Sequence, residues 1–341
     1  MFKAIRYYIT HHFMQLADFR KVFIPALAVG LVMTACSEES DPVPTGPASL
    51  RVIAYTDALT AKGLITTNTL PDQSELGITV VDESGSTYGG LDYTNLFYRA
   101  DGSGESQTWN PVDGLGAQLT ETVGTVYAYY PYQADVSFTA VPVDATTETD
   151  YLVAKPSDPV NKLASTASLT LKHALAVVRL TVRKNSEFTG TGLFRQATIT
   201  STGFGNVGTL NAMTGAVAVT DAGAACFRTR EESLTTTGQD YDIMVVPSET
   251  AADMKIALAI DDKSYEVTVP NTTILQGKVC GWTLTVGRSS LIVDGATVAG
   301  WGVVNDPNNY VSGPSTVILN QGTVVSYNEV RDPTLYVAYR N

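Results

Sequence analysis

Histidine, the side chain best suited to acid–base work near neutral pH, is scarce in this chain. Of its three histidines, His11 and His12 lie in a basic, apolar N-terminal stretch, which leaves His173. A lone imidazole with no partner in the local sequence reads as a hydrogen-bonded structural residue and not as a general base, and it removes most His-dependent catalytic designs. "GFGNVG" places Gly203, Gly205 and Gly208 at the spacing of a dinucleotide fingerprint. That chemistry needs a helix N-terminus after the glycines to hold a pyrophosphate. Here "TLNAMTG" follows, so the run reads as β-turns. Asp261 and Asp262 are adjacent, and paired catalytic carboxylates must converge on one cleft, whereas neighbours in a strand diverge. A hairpin turn suits them better. Cys226 and Cys280 lack the spacing and accompanying histidines of a metal site. They admit either one disulfide or two buried thiols. No catalytic site, cofactor site or metal site is expected, and the chain does not read as an enzyme.

Cys36 invites a different chemistry. Lys3, Arg6, Arg20 and Lys21 precede the uncharged run Val22–Ala35, which is too short to span a bilayer. A basic region, a short apolar region and small residues before a cut site form a secretory signal, and Met14 is an alternative start to Met1. Met33, Thr34 and Ala35 before Cys36 resemble a lipobox, which implies acylation of the cysteine as a new N-terminus at the outer membrane. "SEESD" after Cys36 resembles the surface-export signal of Bacteroidetes lipoproteins. The whole chain has a net charge of −12, and loss of the basic leader makes it more acidic. Such a surface repels phosphate backbones and argues against nucleic-acid binding.

Almost everything downstream reads as β. Residues 37–49 are polar and Pro-rich, as a tether would be. "KIALAID" alternates Ile256, Leu258 and Ile260; "KSYEVTV" alternates Tyr265, Val267 and Val269; "WTLTV" alternates Trp282, Leu284 and Val286. Period-two apolarity marks half-buried strands, and regular turn residues between them mark sandwiches or barrels. Leu169 and Leu171 fall on one parity and Val178, Leu180 and Val182 on the other, so an interruption is expected near Ala174–Val177. "TVYAYYPY" carries Tyr127, Tyr129, Tyr130 and Tyr132, with Tyr93, Phe97, Tyr98 and Trp109 upstream. This cluster suits a strand buried on both faces, with a sugar-stacking platform as the alternative.

Several of these stretches together carry a family likeness. "TWNP", "VGTVYAYYPY", "LTLKHALAVVRLTV", "LTTTGQDYDIMVVPSET", "YEVTV", "LQGKVCGWTLTV" and "ATVAGW" resemble, in order, the blocks of Bacteroidales fimbrillins, the lipoprotein subunits of type V pili. The resemblance spans about Leu50 to Trp301. It implies two transthyretin-like, Greek-key β-sandwich domains in tandem and a fimbria that serves adhesion, polymerised by strand exchange after proteolysis. On that basis the chain divides into a signal peptide (1–35), a tether (36–49), an N-terminal sandwich (50–184), a C-terminal sandwich (185–304) and a tail (305–341). "SLRVIAYTDAL" is then the removable strand, with Leu50, Val52 and Ala54 on one face. Lys62 and Gly63 flank the processing site, where the oral relatives have Arg. In "TLYVAYRN", Leu335, Val337 and Tyr339 form a candidate donor strand. The implied partners are other fimbrial subunits in a homo- or heteropolymer, the outer membrane through the lipid anchor, and a surface receptor. A glycan-binding surface lipoprotein, or a non-polymerising anchor or tip component, is the alternative reading.

Overall fold

A computed structural model describes residues 46–56, 69–104, 107–154 and 156–300, together with the backbone of strands 315–319 and 323–327. Cys36, Lys62, Gly63, Leu335, Val337 and Tyr339 lie outside the described residues, as do residues 1–35. The protein is all-β, with two single 3-10 turns at Tyr88–Gly90 and Ala145–Thr147 among the described residues.

The first half comprises β1 (Ala48–Ser49), β2 (Arg51–Thr56), β3 (Glu75–Asp82), β4 (Leu96–Asp101), β5 (Thr108–Pro111), β6 (Gln118–Leu119), β7 (Gly124–Tyr130), β8 (Val141–Asp144), β9 (Leu152–Ala154) and β10 (Thr166–His173). Seven of these form one sheet in the order β2-β10-β9-β7-β3-β4-β5. The ladder narrows at β7–β9, where only Tyr129↔Val153 and Tyr130↔Leu152 pair. The end strands β2 and β5 pass within 8 Å of each other, so the sheet curls back on itself. The enclosed core includes Leu50, Val52, Leu76, Ile78, Tyr98, Trp109, Val126, Leu169 and Leu171. β3 is buried along nearly its whole length because it is central and covered on both faces.

The second half comprises β11 (Ala176–Lys184), β12 (Leu193–Thr200), β13 (Phe204–Gly205), β14 (Val207–Leu210), β15 (Val217–Val219), β16 (Cys226–Ser233), β17 (Gln239–Pro247), β18 (Ala252–Ile260), β19 (Lys263–Thr272), β20 (Lys278–Val286), β21 (Leu291–Gly300) and the hairpin strands β22 (Ser315–Leu319) and β23 (Thr323–Tyr327). Two sheets, β13-β17-β11-β20-β21 and β16-β12-β18-β19, face each other across a core that draws Val178, Leu180, Trp282 and Leu284 from one and Phe194, Ile256, Leu258 and Ile260 from the other. This is a β-sandwich. Each half pairs an early strand in parallel with a late one, β2 with β10 and β11 with β20.

The change of parity expected near Ala174–Val177 is a crossing between cores. Leu169 and Leu171 face the first core, whereas Val178, Leu180 and Val182 face the second. Ala174 and Leu175 join them, with the Ala174 N–H donating to Tyr151 O at 2.8 Å and the Gly277 N–H donating to Leu175 O at 2.8 Å. The polar run Lys184–Phe194 is only the turn between β11 and β12, and β11 sits inside the second sheet, paired with β17 and β20. A further sheet, β15-β14-β8, takes strands from both halves. Beneath it lies a third core of Tyr129, Phe138, Val141, Tyr151, Leu175, Leu210 and Val246, so the two halves share buried surface.

Candidate functional site

The residues singled out for chemistry resolve into structural roles. His173 Nδ1 lies 2.8 Å from Asp150 Oδ1, and both side chains are buried beside the crossing. The three fingerprint glycines sit around β13 and β14, where no helix follows. A Cβ on Gly205 would strike the Asp221 carboxylate, and one on Gly208 would overlap the Ala218 carbonyl oxygen. Asp221 in turn accepts from the Asn206 and Val207 N–H groups at 3.2 and 3.0 Å. Asp261 begins the β18–β19 hairpin with φ 44°. Its carboxylate accepts from Thr191 Oγ1 and from the Gly192 and Leu193 N–H groups. These bonds, the Thr191 hydroxyl foremost, hold its pKa below the usual 3.8. Cys226 and Cys280 are unbridged and buried. Burial pushes the Cys226 thiol up to about 12 and raises that of Cys280. Among the described residues, no group of three or more His, Cys, Asp or Glu side chains is placed to hold a metal ion.

The aromatic residues are similarly engaged. Phe97 stacks on Tyr132 with ring centroids 4.3 Å apart and lies 5.1 Å from the guanidinium of Arg99. Tyr129 is buried edge-on against Phe138. Among the described residues, the exposed large aromatic side chains are Tyr55 and Phe227, which lie in different halves of the chain. Three other tyrosines do something the sequence pattern does not reveal. The Tyr98 hydroxyl accepts from the Ala117 N–H, that of Tyr93 from the Gln118 N–H and that of Tyr88 from the Thr120 N–H, at 3.3, 3.1 and 3.0 Å. Together they fix the backbone of residues 117–120, which carries β6. Period-two burial marks such residues as core but says nothing of where the hydroxyl points.

Residues 48–56 use what those tyrosines hold in place. β1 pairs antiparallel with β6 through Ala48↔Leu119 and Ser49↔Gln118. The chain then changes partner within two residues. The Leu50 N–H donates to Ala117 O at 2.9 Å and the Arg51 N–H to Ser165 O at 2.8 Å. From there β2 runs parallel to β10 in the register Arg51↔Thr166 to Thr56↔Leu171. Segment 48–56 therefore bridges β6 on one side and β10 on the other, closing the seam where the curled sheet would otherwise gape. Leu50, Val52 and Ala54 point inward at 5%, 4% and 3% exposure, while Tyr55 points outward at 41%. The alternation read in the sequence thus places all three residues in one core. β2 ends its sheet, and a terminal strand is the element whose loss leaves an unpaired edge.

A two-half, all-β chain with a seam-closing first strand is the class this architecture defines. The chain matches the fimbrillin-like family model over residues 64–301. It belongs to the fimbrillin-like family. Among solved structures, a candidate cell adhesion protein from Bacteroides uniformis aligns with TM-score 0.56 at 19% identity, covering 76% of this chain and 99% of that one. Another, from Bacteroides ovatus, aligns with TM-score 0.57 at 16% identity over 76% and 99% of the two chains. At these identities the likeness concerns the fold. No curated protein matches the chain.

Proposed function

We propose that this chain is a structural subunit of a cell-surface fimbria that serves adhesion and has no catalytic activity of its own. It is delivered as an outer-membrane lipoprotein acylated at Cys36. A protease then cuts between Lys62 and Gly63, the segment before the cut leaves, and a strand from the next subunit takes its place. The candidate donor carries Leu335, Val337 and Tyr339, and the partners are other subunits of the same or a related kind. Family membership supports the fimbrial role. One observation carries the mechanism: segment 48–56 is a terminal strand whose side chains Leu50, Val52 and Ala54 are core residues. Its loss exposes main-chain groups of β10 and an apolar slot at once, and both are what an added strand satisfies. The region matched by the family model, 64–301, begins one residue beyond Gly63.

N-terminal sequencing and mass measurement of the protein sheared from cells, beside its membrane-bound form, tests this reading. A sheared species that starts at Gly63 and runs as heat-labile ladders is expected. If every molecule keeps an acylated Cys36 and none forms ladders, the polymerising reading fails in favour of an anchor component or a glycan-binding lipoprotein.

A further inference from the structure

Two leucines occupy turn positions, where polar residues and glycine are the rule. Leu115 and Leu163, at 79% and 66% exposure, are the most exposed large apolar side chains among the described residues. Both sit in ordered turns. Leu115 lies between Gly114 and Gly116, which take φ of 71° and 65°, and its carbonyl accepts from Gln118 Nε2 at 2.9 Å. Leu163 lies in the turn 161–164, where Asn161 Oδ1 accepts from the Leu163 and Ala164 N–H groups at 2.9 and 3.0 Å. The two turns flank one place. Leu115 comes two residues before Ala117 and Leu163 two residues before Ser165, and the carbonyls of Ala117 and Ser165 receive the Leu50 and Arg51 N–H groups at 2.9 and 2.8 Å. The leucines therefore border the point at which the chain enters its seam. An exposed leucine by itself is ordinary, whereas a pair at one point marks a contact surface.

We propose that Leu115 and Leu163 dock the unprocessed protein against the lipid surface in which Cys36 is anchored. This rests on the lipoprotein reading above. Chain length argues for the bilayer as occupant. Gly46 comes ten residues after Cys36, and a fully extended chain of that length reaches no more than about 36 Å. An acylated Cys36 thus keeps the entry point, with a leucine on each side, close to the membrane. Moving a leucine from water to the acyl boundary gains the same apolar transfer that drives core burial. The contact is apolar and not electrostatic. The chain has a net charge of −12, Asp113 comes two residues before Leu115, and Lys162 beside Leu163 is bonded to Glu121 at 2.9 Å. The partner is accordingly neutral phospholipid. The anchor sets the distance, and the leucines set the orientation, turning the mouth of the seam toward the bilayer until segment 48–56 leaves.

The test places the acylated full chain on phosphatidylcholine–phosphatidylethanolamine vesicles that carry quenchers in the lipid tails. A polarity-sensitive fluorophore is attached in turn to Leu115→Cys, Leu163→Cys and, as a control in the second half, Ile292→Cys; Cys226 and Cys280 are buried. The first two probes should shift to the blue and be quenched, and the third should report water. Adding Leu115→Asp should move the contact equilibrium read at position 163 about ten-fold toward water, the worth of one leucine transfer. The thermal midpoint in detergent should stay unchanged, because both side chains are exposed. The inference is overturned if the probes at 115 and 163 report water as the control does. It is equally overturned if they are shielded without vesicles in proportion to protein concentration, which assigns the leucines to a second copy. Protein whose mass shows no acyl group on Cys36 and which ignores vesicles sinks the lipoprotein reading itself, an outcome separate from anchored protein with both leucines in water.

Discussion

Leu50→Ala is the perturbation that most directly weighs the seam-closing strand. Leu50 is 5% exposed, packs in the first core, and sits where the chain switches from β6 to β10. Truncating a buried leucine removes its transfer free energy and leaves a cavity, together about 3 kcal/mol. While the segment is covalently joined, that loss appears as lower overall stability. After a cut at Lys62 the segment is held by contacts alone, and the same loss appears as a dissociation constant raised about 150-fold. The assay cleaves the full chain with a lysine-specific protease and follows loss of the N-terminal fragment by size exclusion and mass spectrometry. Tyr55→Ala is the control, since a 41% exposed side chain on the same strand should change retention by about two-fold or less. Equal retention of the fragment in both variants would refute the claim that inward packing holds the strand.

Four further outcomes are expected. Gly208→Ala should lower the thermal midpoint by several degrees, because a Cβ there meets the Ala218 carbonyl in the sheet that joins the halves. Asp261→Asn should be less stable than wild type at pH 7. The wild-type carboxyl has its pKa depressed below 3.8, so its contribution is present above that value and is lost as pH falls through the folded pKa. The gap between the two proteins should therefore shrink in acid unfolding curves. Asp150→Ala should cost about 1–3 kcal/mol in a denaturant titration, since it leaves the buried His173 ring nitrogen without its hydrogen-bond partner. In native protein at pH 8, Cys226 and Cys280 should resist iodoacetamide, because both are buried with raised pKa values. Full labelling should follow only on unfolding.

Much of the β architecture is legible in the sequence because side-chain alternation is a local property. Ile256, Leu258 and Ile260, or Leu50, Val52 and Ala54, reveal their inward face through residue type alone. The crossing at Ala174–Leu175 leaves a sign too, as a change of parity. What that sign means is not local. A bulge within one core and a passage between two cores disturb the alternation in the same way, so the polar turn at Lys184–Phe194 looks like the better boundary. Pairing of β11 with β20 depends on contacts a hundred residues apart. The same limit hides the hydroxyl bonds of Tyr88, Tyr93 and Tyr98. Burial follows from composition and period, whereas the aim of a polar atom inside a core depends on its neighbours in space.

The sheet β15-β14-β8 has a mechanical consequence. A two-residue connector alone would act as a swivel, and tension on the chain would straighten it before loading either half. With strands from both halves hydrogen-bonded across the junction and apolar side chains packed beneath, bending there requires breaking a ladder and wetting a core. Compliance is thereby displaced from the middle of the molecule to its ends. A row of such units would flex at the joints between copies, and its stiffness would be set by how firmly each seam grips its strand.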